Sequence, residues 1–307
     1  MKLVDKIKNS NFNFVRKGRW FYIAPAVILV IGILVLAIWG FNLGLDFTGG
    51  TTVKINADGE FTKTQVQEKM DSFHVKYSIA KEQSTNGGNT FTIKFNADNT
   101  ENIITDLQTF FEADYLESTT FSDTTISETI MSVFWSILAA IAGLIIYMLI
   151  RFKFTSGMAT ILALMHDVLI ICSLMAIFRI EINASFIAAV LTVMAYSINN
   201  SLVVFDRVRT FEKNNTENYT LEQIINKSIN TTLTRSILTM VTTLGTLLVL
   251  TIISIIMQLS TLIEFALPIV FGLVAGTYSS LFLIAPLYMQ FESARLYAKQ
   301  RKTNKTK

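Results

Sequence analysis

The side chains in this sequence that could handle a proton or a small cation are few, and they lie in apolar surroundings. The stretch Ala195 to Thr210, AYSINNSLVVFDRVRT, begins in an apolar run, carries Asn199 and Asn200 at its middle, and ends in Asp206, Arg207 and Arg209. On a helix, positions three or four apart share a face. Thr192, Tyr196, Asn199 and Asp206 then fall roughly along one stripe, while Leu202, Val203 and Val204 cover much of the remainder. Unpaired amides and carboxylates at membrane depth are costly, so the stripe should face other helices or a wet cavity.

An amide can hydrogen-bond or help coordinate a cation, but it does not titrate in the physiological range. Asp167, midway along another apolar run with His166 beside it, is a carboxylate that does. Neighbours on a helix point about 100° apart, so the two need not act as a pair, and an equal reading of Asp167 is a partnered polar residue that fixes helix packing. Arg235 with Thr239, Thr242 and Thr246 sets a cation and several hydroxyls on one helical face. A guanidinium stays charged, so it would pair with a carboxylate or gate an ion; the alternative is an interfacial arginine snorkelling to lipid headgroups. For Asp206 and Arg207, helix capping and orientation explain much without any chemistry.

The elements that must position these groups are membrane spans. Of 307 residues 51% are hydrophobic and 16% charged, with mean hydropathy +0.46, against the roughly 25% charge of soluble domains. A net charge of +3 is too small for nucleic-acid binding, and the lone Cys172 excludes an intrachain disulfide. A basic leader (residues 1–19: Lys2, Lys6, Lys8, Arg16, Lys17, Arg19) precedes an uncleaved first span over 20–40. Further apolar segments lie near Ile130 to Ile150, Gly157 to Phe178, Asn183 to Val204, Leu233 to Met257 and Phe265 to Phe291. That makes about six spans, five of them within 127–291, with a loop at about 205–232 and a basic tail over 292–307. Lys and Arg crowd the leader, the Arg151 to Lys153 turn, the 206–227 connection and the tail, so both termini are expected in the cytoplasm.

The segment 41–126 then lies outside. Strands are predicted over Thr51–Asn56, Val75–Glu82, Asn89–Phe95 and Tyr115–Phe121, helices over Thr62–Phe73 and Asn99–Ala113, and a turn at Asn86-Gly87-Gly88. The order βαββαβ is the ferredoxin-like arrangement. His74 stands alone, as a turn histidine does, and no metal site or catalytic constellation is evident. Gly44-Leu45-Asp46-Phe47-Thr48-Gly49-Gly50 reads as a tight exit turn from the first span or as a ligand loop, though without the lysine of a phosphate loop. Small residues Gly272 and Gly276, and Ser132, Ser136 and Ala140, would let helices approach closely. Pro268 would sit in the first turn of the last span, and Pro286 would kink its end.

GLDFTGGT after the first span, His166-Asp167-Val168 in the third, YSINNSLVVFDRVR in the fourth and INTTLTRSILTMVTTLGT entering the fifth together resemble the SecD/SecF family of protein-export membrane proteins, on the side of its smaller members. The resemblance covers nearly the whole chain, in order. It implies a polytopic α-helical protein of the bacterial plasma membrane, half of an RND-type transporter, with a small extracytoplasmic α+β domain between helices 1 and 2. It further implies a SecD-like partner, a SecY-type translocon, an unfolded exported polypeptide and membrane lipid as contacts. No bound cofactor is implied, the energy coming from a proton or sodium gradient. An assembly subunit not itself ion-coupled is the alternative; a small-molecule efflux pump would need large external porter domains and a second helical half.

In the family's usual fourth-helix motif an Asn-Asp pair stands where this chain has Asn199-Asn200, and the aspartate is the residue proposed to carry the coupling proton. Here that position is Asn200. Three readings follow: the partner supplies the carboxylate and Asn199 and Asn200 complete a polar cluster; ionisation moves to Asp167; or coupling is weak. By the same resemblance Arg235 matches the family's functional arginine, and Asp206-Arg207 its Asp-Arg pair.

Overall fold

The computed structural model describes residues 13–16, 18–57, 61–83, 89–97, 100–111, 116–214, 218–257 and 259–305. Most of the basic leader and the Asn86-Gly87-Gly88 turn lie outside the described residues. The segment just before the first span is seated: Phe14 is buried, its backbone N–H donates to Asn226 Oδ1 at 2.8 Å, and Asn13 donates to Glu222.

Helix α1 (Ile23–Trp39) has 17 residues, the short end of what a bilayer accepts. Gly40, at φ +63°, ends it, and Arg179 donates to the Gly40 carbonyl at 2.6 Å, answering an acceptor at a helix C-terminus that would otherwise lack a partner. A single helical turn, Leu45–Thr48, leads into the small domain.

That domain runs β1 (Gly50–Ala57), α2 (Lys63–Asp71), β2 (Tyr77–Gln83), β3 (Asn89–Phe95), α3 (Thr100–Phe111) and β4 (Leu116–Phe121). Its four strands are antiparallel in the order β2-β3-β1-β4, the ferredoxin-like order. Period-two alternation sends Val53, Ile55, Ile79, Phe91, Ile93 and Phe95 to one face, where Val66, Met70, Ile103, Leu107 and Phe111 of the two helices cover them. A capping box of Thr62 and Gln65 starts α2. His74 takes φ +56° in the turn after α2, with Nδ1 3.1 Å from the Ser72 carbonyl.

The body continues with α4 (Asp123–Arg151), α5 (Phe154–Ile177), α6 (Ala184–Lys213), α7 (Leu221–Ile256), α8 (Ser260–Tyr278), a π turn (Ser279–Leu283) and α9 (Ile284–Lys305). Among the described residues these form five segments long and apolar enough to cross a membrane, and α1 is a shorter apolar helix beside them, where the sequence predicts the first span. The last segment, Thr261–Arg301, is a single run longer than the Phe265–Phe291 span read from the sequence. Pro268 therefore lies inside α8 and not in its first turn, because helix formation begins at Ser260; its missing N–H leaves the Glu264 carbonyl without the usual helical donor. The irregularity expected at Pro286 appears one turn earlier, as the π turn. A proline three residues past that turn deprives the Phe282 carbonyl of its partner, a local stress that i→i+5 bonding absorbs.

α5, α6 and α8 make the centre of the body, with α1 packed on α5 and α7 across α6 and α8. A side chain added at Gly272 would collide with Val193 on α6 and meet Ile171 on α5, and one at Gly276 would crowd Ser197. The small-residue spacing on α8 thus accompanies a close backbone approach. Ser132 and Ser136 on α4 differ: both are exposed, because α4 lies at the edge and buries little within this chain.

Gly272→Val forces a branched side chain into Val193 in the tightest part of the body. We expect a loss of about 3 kcal/mol or more of stability, read as a lower thermal unfolding midpoint in detergent, with Gly245→Val, where a Cβ meets nothing within 4 Å, as the unaffected comparison.

Candidate functional site

Asp167 is completely buried at the middle of α5. Its Oδ2 accepts hydrogen bonds from Ser197 Oγ of α6 at 2.5 Å and from Ser279 Oγ at 2.9 Å, and its Oδ1 lies 3.0 Å from His166 Nδ1. The two histidine–aspartate neighbours therefore do meet, although the helical offset alone did not require it. A buried carboxyl group with three polar neighbours is far better accommodated than an isolated one. Ser279 opens the π turn, and Ser280 beside it turns to α6, reaching Ser201 Oγ at 3.2 Å and the Ser197 carbonyl at 3.4 Å. Consecutive residues of one turn thus hold two different helices. π turns of this kind concentrate at functional sites.

Asn199 and Asn200 part company. Asn200 is 4% exposed, one turn beyond Ser197 on the inner face of α6, and its Nδ2 has no hydrogen-bond partner. Asn199 is exposed on the outer face, in line with Thr192 and Asp206, also exposed. The stripe read from the sequence exists and looks away from this chain's own helices. Tyr196 departs from it, being half-buried with its hydroxyl 3.4 Å from Thr277 Oγ1.

Arg235, Thr242 and Thr246 are exposed along α7. Arg235 and Asp206 line one open cleft of about 500 Å³ between α4, α6 and α7, shared with Arg151, Arg207, Thr231 and Thr232. There Asp206 pairs with Arg151 at 3.6 Å. Both side chains are largely exposed, so the pair contributes little to stability in itself. Beyond the Arg151–Asp206 pair, Arg207 and Arg235 leave the cleft predominantly positive.

The glycine-rich stretch is built into the body. Gly44 N–H donates to the Ile182 carbonyl and Ile182 N–H to the Asn42 carbonyl, each at 2.8 Å, and Asp46 Oδ2 accepts from Ala184 N–H, the first residue of α6, at 2.7 Å. A carboxylate at that helix N-terminus also suits the dipole. Gly50 has φ +131°, and a Cβ there would stand 2.6 Å from the Phe95 carbonyl, so only glycine fits. Phe47 joins the apolar cluster of α5, α6 and α8.

Two groupings escaped the sequence reading. Ser197, Ser201, Ser279 and Ser280 look like small packing residues until the fold sets them around Asp167. Lys94 of β3 bonds Glu181 at 2.6 Å and lies 3.6 Å from Glu264, residues that sequence separation alone could not join. Burial works against the Lys94 ammonium, but the hydrogen bond to Glu181 and the charges of Glu264 and Glu181 outweigh it and raise its pKa above the usual lysine value. Among the described residues no group of three or more His, Cys, Asp or Glu could hold a metal ion.

Two family models match the chain: protein export membrane protein SecD/SecF, C-terminal, over residues 101–294, and the SecD/SecF GG motif over residues 35–59. The protein translocase subunit SecF of Petrotoga mobilis is 30% identical over 291 residues, covering 90% of this chain and 95% of that one. The protein translocase subunit SecDF of Bacillus subtilis is 30% identical over 295 residues, 94% of this chain, which spans only 39% of that relative's length. Among solved structures, SecDF from Thermus, described as a translocon-associated membrane protein, superposes with a TM-score of 0.77 at 28% identity over 93% of this chain and 39% of that one. A βαββαβ domain inserted after the first helix of a six-helix body, the glycine turn that joins them, and agreement with these relatives along nearly the whole sequence lead to one conclusion: the chain belongs to the SecD/SecF family of protein-export membrane proteins, in its SecF-type branch of translocase subunits.

Proposed function

We propose that this chain works in the bacterial plasma membrane as one half of a paired, gradient-driven export device, docked against a SecD-type partner through the outer faces of α6 and α7. The observation that carries this reading is the exposed polar stripe of Thr192, Asn199 and Asp206 on a helix long enough to span the bilayer, beside exposed Arg235, Thr242 and Thr246. The threonine hydroxyls close on their own helix backbones and Asp206 pairs with Arg151. Hydrocarbon cannot satisfy the Asn199 amide or the Arg235 guanidinium, so another protein surface must. A pseudo-two-fold arrangement of two such halves puts the shared polar seam at the middle of the membrane. The partner's matching helix then supplies the carboxylate that Asn200 lacks, and Arg235 pairs with it or sets its affinity for the coupling ion, H⁺ or Na⁺.

Within this scheme both termini lie in the cytoplasm and the βαββαβ domain faces outward, where it meets the unfolded exported chain; the SecY-type channel lies alongside. The basic residues of the 206–227 connection support this orientation. A second reading places ionisation at Asp167, favoured by its complete burial among Ser197, Ser279 and His166. The two readings differ in which half of the complex holds the carboxylate.

Asn199→Leu should weaken co-purification with the SecD-type partner about threefold, the usual worth of a hydrogen bond between membrane helices. Asn200→Leu, on the inner face, should leave partner affinity unchanged. Equal behaviour of the two variants would remove α6 from the partner surface.

In reconstituted vesicles containing the complex, Arg235→Ala should abolish the stimulation of export by an imposed gradient while the complex stays assembled. Asp167→Asn decides between the readings: retained stimulation places the carboxylate in the partner, and lost stimulation with intact assembly places it in this chain. Gradient-independent export by the unmodified complex would overturn both.

A further inference from the structure

The external domain is joined covalently to the body at two places, the glycine turn before β1 and the short link between β4 and α4. A third attachment comes from the middle of its sheet. On β3 the inward residues are Phe91, Ile93 and Phe95, so Lys94 projects from the opposite face. Its Nζ bonds Glu181 Oε1 at 2.6 Å, in the link between α5 and α6, and lies 3.6 Å from Glu264 Oε1, in the second turn of α8. The three side chains are only 22%, 21% and 13% exposed.

The carboxylates are themselves held. Asn183 Nδ2 donates to Glu264 Oε2 at 2.5 Å, while Asn183 Oδ1 caps α6 by accepting from Phe186 N–H at 3.1 Å. Asp46 takes the neighbouring Ala184 N–H. Gly44 completes the fit, since a Cβ there would lie 2.7 Å from Glu181 Oε1 and 3.2 Å from Asn183 Cβ. One residue, Asn183, therefore links Lys94's partner to the start of α6, the helix that carries Ser197 against Asp167. Across the junction from it, Pro268 leaves the Glu264 carbonyl without its helical donor, which makes that turn of α8 easier to deform.

We infer that Lys94, Glu181 and Glu264 form an ionic clasp between the external domain and the outer ends of α5, α6 and α8, and that Lys94 is a positioning residue through which shifts of α6 and α8 reach the domain. The clasp carries one cation against two carboxylates, so a shift of either helix that separates Glu264 from Glu181 leaves Lys94 bound to one and frees the domain to tilt. The inference rests on the reading that the domain moves during export.

The test places spin labels at Gln108 on α3 and Ile38 on α1, both exposed, in a Cys172→Ala background, with the full chain bound to its SecD-type partner in lipid nanodiscs. The unmodified clasp should give one narrow distance. Lys94→Gln should raise the population at a second distance about tenfold, the effect of losing one charge-assisted hydrogen bond. Lys94→Arg should retain the single distance, and the exchanged pair Lys94→Glu with Glu181→Lys should restore it. A Lys94→Gln distribution equal to the unmodified one, or an exchanged pair no better than Lys94→Gln, overturns the clasp. Gradient-driven export in vesicles separates the two ideas. If the unmodified complex exports independently of the gradient while Lys94→Gln still opens the clasp, the coupling reading falls and the clasp stands; if export is gradient-driven and Lys94→Gln slows it less than twofold, the positioning role falls.

Discussion

Hydrocarbon offers no hydrogen bonds, and that constraint arranges this molecule more than any single contact. Every polar group placed within the bilayer must find its partner in protein. Asp167 finds three, from Ser197, Ser279 and His166, and those three positions fix how α5, α6 and α8 sit against one another. The π turn is part of the same solution. By breaking regular α-helical spacing just after Tyr278 it lets Ser279 address α5 while Ser280 addresses α6. Close approach at Gly272 and Gly276 brings the helices near enough for hydroxyls as short as serine's to span the gap.

The same constraint explains what the chain leaves unfinished. Asn199 and Arg235 are polar and exposed on spans, and α4 and α7 bury little of themselves. In the proposed pairing these faces meet the SecD-type counterpart. Asn200 belongs to neither class. Its inward direction separates it from Asn199 by the 100° of a single helical step, enough to put adjacent amides into different environments.

Much of this was legible in the sequence. Six apolar segments, the βαββαβ order and the glycine turn follow from length, periodicity and residue type, and the strand Asn89–Phe95 falls where its alternation placed it. The Pro268 reading failed because apolar periodicity marked the start of the last span at Phe265, while helical hydrogen bonding begins at Ser260. Serines around Asp167 were illegible for a different reason. A hydroxyl side chain in an apolar run has the same signature whether it closes on its own backbone, as Thr242 does, or on a carboxyl group thirty residues away, as Ser197 does. Lys94 with Glu181 and Glu264 belongs to the same class: the pairing depends on how a domain lies on a bundle, and no local pattern encodes that.

The seat of Phe14 adds a temporal consequence. Its backbone is held by Asn226, a residue 212 positions later in the chain. A ribosome delivers Phe14 long before that acceptor exists, so the stretch ahead of α1 gains this partner only after α4, α5 and α6 have been made. A segment made before the first span is thus seated by a helix made after four spans have been started.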